Sequence, residues 1–278
     1  MRLCRFEGGY GLLDGDQVID IGAFVPRDNN DDFTDPLVAA IPALGKLGAD
    51  ALHQCSRRPA KEITLLSPVR RPSKILAAPN NYREHTAEMH EDSAANAARS
   101  ATLEAAGFFL KATTSLVGPA QGVIVRFPDR RTDHEVELVI VIGEKVEKPL
   151  ELGDASRVVA AYGVGLDITL RGPEERSLRK SIDTYTVLGP SIVTADAVRD
   201  IEKGRMWLSV NGEMRQSVGL DDMIHGVAAQ VEYASRFYTL YPGDLIYTGT
   251  PSGVGPIRSG DTIRAGITGL DDLEVRVR

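Results

Sequence analysis

The chain has 278 residues, 42% hydrophobic and 26% charged, ordinary globular values that exclude disorder, collagen and coiled coil. Lys and Arg number 32 against 39 Asp and Glu, and the net charge of −7 argues against nonspecific nucleic-acid binding, which needs basic surface to displace counterions. No apolar run is long enough for a membrane span, Met1 to Glu7 lacks the apolar core of a secretory signal, and two cysteines (Cys4 and Cys55) exclude a disulfide scaffold, so a soluble, cytoplasmic protein is expected.

In chain order, Arg2–Phe6, Tyr10–Leu13 and Gln17–Ile21 read as short strands, separated by Gly8-Gly9 and Asp14-Gly15-Asp16. Leu37, Ile41, Leu44 and Leu47 predict a helix between Asp35 and Leu52. Pro68 and Pro72 mark a boundary near residue 70, dividing a small β-rich module (1–70) from a larger unit (71–278). The larger unit opens on the apolar run Ile75–Ala78. A helix-like segment starts at Tyr82, and another from Ser93 to Gly107 is rich in alanine but poor in bulky side chains, as a helix lying loosely over the body would be. Strands are predicted at Gly122–Phe127, His134–Ile142, Tyr162–Asp167, Ser191–Thr194 and Met206–Val210, the last running into the hairpin pair Asn211-Gly212. An amphipathic helix from Asp222 to Leu240 stops at Pro242-Gly243, and three strands (Leu245–Thr248, Thr262–Ala265, Leu273–Val277) finish the chain. Strands outnumber helices and the alternation of a doubly wound sheet is missing, which predicts an α+β, mostly β fold.

The run His134-Glu135-Val136-Glu137-Leu138 carries the clearest chemical signal. In a strand Glu135 and Glu137 share a face, with Val136 and Leu138 on the other. Two carboxylates leading into a wholly apolar run are costly unless neutralised, and a hard divalent cation does that. The plain alternative is the solvated face of an edge strand. Asp167, ending Tyr162-Gly163-Val164-Gly165-Leu166, is a candidate third ligand. In a helix, His85 and Glu88 stand at i and i+3, where a carboxylate orients an imidazole for base catalysis; the alternative is an exposed surface pair. No nucleophile elbow, Walker loop, dinucleotide-binding glycine motif or His-Glu-x-x-His is present.

Seven segments follow one another: Asn81-Tyr82-x-x-His85-x-x-Glu88, Phe109-Leu110-Lys111, Glu135-Val136-Glu137-Leu138, Asp167-Ile168-Thr169, Lys180-Ser181-Ile182-Asp183-Thr184, Leu188-Gly189-Pro190 and Thr248-Gly249-Thr250-Pro251-x-Gly253-Val254-Gly255. Together they resemble the fumarylacetoacetate hydrolase family across about residues 70–256. The resemblance implies a small N-terminal β-rich module ahead of a mixed β-sandwich or roll. It also implies Mg²⁺ or Mn²⁺ on Glu135, Glu137 and Asp167, a homodimer, and a lid over residues 83–106. The implied chemistry is hydrolysis of a C–C bond in a 2-oxo or 1,3-diketo acid, such as an acylpyruvate or fumarylpyruvate of aromatic-compound catabolism. In it His85, oriented by Glu88, activates water and Lys180 is catalytic, while Tyr82, Lys111, Arg171 and Thr250 meet the substrate. Without the resemblance, Lys111 reads as a snorkelling strand-end cation, Thr250 as part of a turn and Arg171 as a surface residue. Where the family commonly has Ala-Arg-Asp-x-Gln, this chain has Leu170-Arg171-Gly172-Pro173-Glu174; Ala112 and Ile182 also depart from the pattern. An isomerase, hydratase or decarboxylase on the same metal site is the alternative, and a non-catalytic binding protein is a third reading.

Overall fold

The glycine-rich turns at Gly8 and Gly15 let β1 (Arg2–Phe6), β2 (Gly9–Asp14) and β3 (Gln17–Asp20) pair as a meander. The computed structural model describes residues 1–27, 33–83 and 102–278. The helix expected from Asp35 to Leu52 is two, Pro36–Leu44 and Ala49–His53, parted at Gly45 and Gly48. Asp35, 2% exposed, caps the first by accepting the N–H groups of Leu37 and Val38 at 3.0 and 3.3 Å. Strands β4 (Arg57–Pro59) and β5 (Leu65–Leu66) complete the first 70 residues, and β4 pairs with β3.

The remaining strands are β6 (Ile75–Ala77), β7 (Phe109–Lys111), β8 (Leu116–Val117), β9 (Thr132–His134), β10 (Val136–Ile142), β11 (Val159–Asp167), β12 (Thr169–Leu170), β13 (Thr186–Thr194), β14 (Arg205–Val210), β15 (Glu213–Gly219), β16 (Leu245–Tyr247), β17 (Gly255–Pro256), β18 (Thr262–Ile267) and β19 (Leu273–Arg276). A mixed sheet runs β4-β3-β2-β1-β13-β11-β10-β16-β6-β7, with β5 beside β1 and β8 beside β13. Its parallel pairs are β6 with β16 and β8 with β13. Smaller sheets are β12-β9-β17 and β15-β14-β18-β19.

Strand β10 is buried on both faces. Val136, Leu138, Ile140 and Ile142 join one core with Met206, Leu208, Ile263 and Leu273 of the four-stranded sheet and with Val231 of the helix Val227–Phe237. Val139 and Val141 point into a second core with Leu37, Val38 and Leu44. The fold is therefore α+β and mostly strand, the large sheet covered by a second sheet and by helices.

Two further elements differ from expectation. Gly122–Phe127 is not a strand: Gly122 stands at φ 70, Val123 makes a single bridge to Val277, and Ile124 donates its N–H to Thr184 Oγ1 at 2.9 Å. The helix predicted over Asp222–Leu240 covers only Val227–Phe237, because Ile224 donates its N–H to the Asn81 carbonyl at 2.8 Å and Leu240 pairs with Val146. Of the alanine-rich segment ending at Gly107, the described part is the turn Leu103–Ala106, closed by Gly107 at φ 70; the rest lies outside the described residues.

Candidate metal centre

The chain leaves the large sheet for the small one twice, side by side. β9 and β10 meet at Glu135, and β11 and β12 at Ile168. Val136 pairs with Leu166 and Asp133 with Thr169, so the same register puts Glu135 opposite Asp167, and the Asp167 N–H donates to the Glu135 carbonyl at 2.9 Å. Glu137, two residues further along β10, is opposite Gly165. Carboxylate oxygens of Glu135, Glu137 and Asp167 all lie within 4.8 Å of one another. The residues are 4%, 2% and 0% exposed, so the alternative of a solvated edge face does not hold.

Two lysines meet these acids. Lys111, at the end of β7, is buried; its ammonium donates to Asp167 Oδ1, and to the Tyr185 carbonyl at 3.2 Å. Lys180, ending the helix Arg176–Lys180, donates to Glu135 Oε2 at 2.7 Å, Asp167 Oδ2 at 2.5 Å and Thr169 Oγ1 at 2.7 Å. Burial alone lowers the Lys180 ammonium, but Asp167, Glu135 and Glu137 outweigh it and raise its pKa. Lys111, with fewer acids around it, is pushed down by burial despite Asp167. Burial pushes the Glu137 carboxyl well above its ordinary value, and repulsion from Asp167 and Glu135 adds to this; Lys180 and the Gly249 N–H, donated to Glu137 Oε2 at 2.7 Å, offset part of it.

An oxygen-only donor set suits a hard divalent cation such as Mg²⁺ or Mn²⁺. At metal–oxygen distances of about 2.1 Å, octahedral ligand oxygens stand roughly 3–4 Å apart, so these oxygens need only a small contraction to share one ion.

Supporting contacts extend outward. Arg171, expected at the substrate, holds Asp133 Oδ2 at 2.7 Å through Nε and Glu135 Oε1 at 3.0 Å through an Nη, so both described charge contacts are to buried protein acids. Thr169 Oγ1 donates to Glu135 Oε1 at 3.0 Å. Tyr82 is fully buried in the core beside Met223, and burial raises its phenol. Its neighbour Asn81 donates Nδ2 to the carbonyls of Thr248 (2.8 Å) and His225 (2.9 Å), pinning the loop that carries Gly249. Thr250 Oγ1 accepts from Gln216 Nε2 at 2.9 Å, and Gln216 Oε1 accepts the Val136 N–H at 3.1 Å. Gln216 thus ties the Thr250 loop to the strand between Glu135 and Glu137. Sequence reasoning missed Gln216, a polar residue in the polar run Glu213-Met214-Arg215-Gln216-Ser217, and Asp133, whose neighbour His134 drew no role. The structure brings together Glu135, Glu137, Asp167, Lys111, Lys180 and Arg171; His85, Glu88 and most of the expected lid lie outside the described residues.

The family model for the fumarylacetoacetate hydrolase C-terminal region matches residues 74–278. The chain is 43% identical to a maleylpyruvate hydrolase of Aquipseudomonas alcaligenes over 286 aligned residues, covering 100% of this chain and 99% of that one. Its fold matches the crystal structure of maleylpyruvate hydrolase from Sphingobium sp. SYK-6 in complex with manganese(II) ion and pyruvate, with a TM-score of 0.85, 36% identity and coverage of 100% and 98%. A 2-hydroxyhepta-2,4-diene-1,7-dioate isomerase from Mycobacterium marinum is similar at a TM-score of 0.74 and 28% identity, covering 100% of this chain and 98% of that one. With a full-length relative at that identity and a family match over most of its length, this chain belongs to the fumarylacetoacetate hydrolase family.

Proposed function

We propose that the protein is a divalent-cation-dependent hydrolase that cleaves a C–C bond in an acylpyruvate-type acid, with maleylpyruvate as the leading substrate. The observation that carries this reading is the convergence of Glu135, Glu137 and Asp167 against the buried ammonium groups of Lys111 and Lys180. Maleylpyruvate hydrolases among the relatives, one with manganese and pyruvate, support it. Bound by the three carboxylates, Mg²⁺ or Mn²⁺ supplies Lewis acidity toward a carbonyl oxygen of the keto acid.

The chain's own groups do the rest. Lys180 and Lys111 hold positive charge where substrate oxygens gain negative charge. Thr250 and Tyr82 bound the substrate, and Arg171 steadies Glu135. His85, oriented by Glu88, takes a proton from the attacking water. The resulting hydroxide adds to the acyl carbon, the C–C bond breaks, and its electron pair passes to the pyruvate methylene, which takes up a proton to become methyl. One water is consumed, and a carboxylic acid and pyruvate leave.

Incubation with maleylpyruvate and Mn²⁺, followed by proton NMR, is expected to yield maleate and pyruvate, with turnover abolished in His85→Ala. A product that keeps the whole carbon skeleton would instead establish the isomerase reading, which the similar diene-dioate isomerase favours. The proposal extends to a cytoplasmic homodimer, checked by sedimentation equilibrium and cell fractionation. It also reads residues 1–70 as an N-terminal module and 71–278 as the catalytic unit, supported by the start of the family match at residue 74.

A further inference from the structure

Strand β15 is exposed along its first half except at one polar residue. Glu213, Met214, Arg215 and Ser217 are exposed, whereas Gln216 is buried. The hairpin at Asn211-Gly212 pairs Val210 with Glu213 and Ser209 with Met214, but Leu208 pairs with Gln216, so Arg215 bulges out of the ladder. A bulge re-aims the side chains beside it, and this one turns Gln216 inward, against the loop that follows Thr248. Gly253 of that loop, at φ +90, packs so closely on the bulge that a Cβ there would stand 2.1 Å from the Arg215 carbonyl oxygen.

Every hydrogen-bonding position of the Gln216 amide is filled. Its Nε2 donates to Thr250 Oγ1 at 2.9 Å and to the Pro251 carbonyl at 3.0 Å. Its Oε1 accepts the Val136 N–H at 3.1 Å and faces His134 Nδ1 at 3.2 Å. A backbone N–H only donates and a carbonyl only accepts, so the amide has one orientation, and His134 carries its proton on Nδ1. Thr250 therefore receives a hydrogen bond. Its hydroxyl cannot turn its own proton toward Gln216, whose Nε2 has no lone pair to offer. Thr250 is 4% exposed, and among the described residues its hydroxyl donates to none. A buried donor without an acceptor is costly, which marks this proton as one kept for a ligand. The residue before it, Gly249, donates its N–H to Glu137 Oε2 at 2.7 Å, so the hydroxyl stands beside the carboxylate centre.

We propose that Gln216 is a positioning residue for the reaction: it engages the Thr250 oxygen from behind and so holds the hydroxyl as a donor toward an anionic oxygen of the oxo acid. His134, through its Nδ1 proton, keeps Gln216 Oε1 as the acceptor and thereby Nε2 as the donor. The inference rests on the proposed reading that Thr250 meets the substrate.

The test is calorimetric binding of oxalate, a stable analogue of an oxo-acid head, to the Mn²⁺-loaded full chain. Thr250→Val is expected to weaken oxalate about tenfold, the worth of one hydrogen bond to a charged group, and Thr250→Ser to stay within about threefold of the wild type. Gln216→Met, which removes the amide and keeps the volume, is expected to weaken oxalate by at least about threefold, but by less than about twofold when added to Thr250→Val. Its Mn²⁺ affinity, read from the paramagnetic resonance of free Mn²⁺, is expected to match the wild type. An equal Gln216→Met effect with and without Thr250→Val, unchanged oxalate binding in Thr250→Val, or a fall in Mn²⁺ affinity as large as that for oxalate would overturn the assignment. Should Gln216→Met not fold, ¹⁵N NMR of His134 in the wild type decides: a proton on Nδ1 supports the amide orientation, and a neutral ring protonated on Nε2 overturns it. The oxalate series needs no bond cleavage, so it stands apart from turnover of maleylpyruvate, which alone judges the hydrolase reading.

Discussion

Glu135 and Asp167 face each other across two antiparallel strands at the point where both strands pass from the large sheet into the small one. The register runs unbroken through that point, so the two residues stand directly opposite each other, and their carboxylates meet that of Glu137, the next residue on the same strand face. The arrangement is rigid because the acids are held from outside as well: Arg171, Thr169 and Lys180 occupy both oxygens of Glu135.

Replacing Asp167 with Asn removes a charged partner from both Lys111 and Lys180, and Lys180 keeps Glu135. Breaking a buried pair from one side costs about 3–5 kcal/mol, and loss of a ligand is expected to weaken cation binding by at least about a hundredfold. Urea unfolding without metal reads the first effect, and the paramagnetic resonance of free Mn²⁺ during titration reads the second. Unaltered Mn²⁺ uptake by this variant would remove Asp167 from the ligand set.

Lys180→Met acts in opposite directions on affinity and turnover. Its ammonium is 2.7 Å from Glu135 and 2.5 Å from Asp167, so it repels any cation entering between them. The variant is expected to bind Mn²⁺ more tightly than the wild type while losing most of its turnover. Weaker Mn²⁺ binding in the same titration would show that Lys180 preorganises the acids more than it competes with the ion.

Gly249→Ala tests the loop that donates to Glu137. Gly249 adopts φ +97, and an added Cβ would lie 2.7 Å from the Asn81 Cβ. The left-handed backbone alone costs a side chain about 1–2 kcal/mol, and the clash forces the Gly249 N–H away from the carboxylate. Gly8, at φ +95 with open space around it, is the control: Gly8→Ala is expected to lower thermal stability through the backbone strain alone, whereas Gly249→Ala lowers both stability and turnover. Equal turnover losses in the two variants would show that the loop contact is dispensable.

Cys4 gives a pH signature far from the site. Burial pushes its thiol from 9.0 to about 12. Above pH 9 the unfolded chain ionises this thiol while the folded one keeps its proton, so the unfolded state binds fewer protons and stability falls as pH rises from 9 toward 12. The loss is at most about 1.4 kcal/mol per pH unit for one group. Urea midpoints between pH 8 and 10 are expected to fall more steeply in the wild type than in Cys4→Ala; parallel slopes would show that the thiol titrates alike in both states.

What the linear chain determined lies in short-range periodicity and motif order. The two-residue repeat of a strand is enough to put Glu135 and Glu137 on one side, because pleating depends only on the local backbone. The hairpin at Asn211-Gly212 and the buried runs at Ile75–Ala77 and Val136–Ile142 are equally local, and the ordered segments from Asn81 to Gly255 carried the family. Helix ends were less legible: Ile224 left its expected helix because Asn81, 143 positions earlier, accepts its N–H. Tertiary structure alone decided which charges meet. Strand register sets Asp167 opposite Glu135, and separate elements bring in Lys111 and Lys180; Gln216 and Asp133 acquire their partners only once the sheets assemble. Arg171 gains its contacts to Asp133 and Glu135 for the same reason. Electrostatic energy depends on distance and burial, and neither is set by spacing along the chain once residues from different elements pack into one dry space.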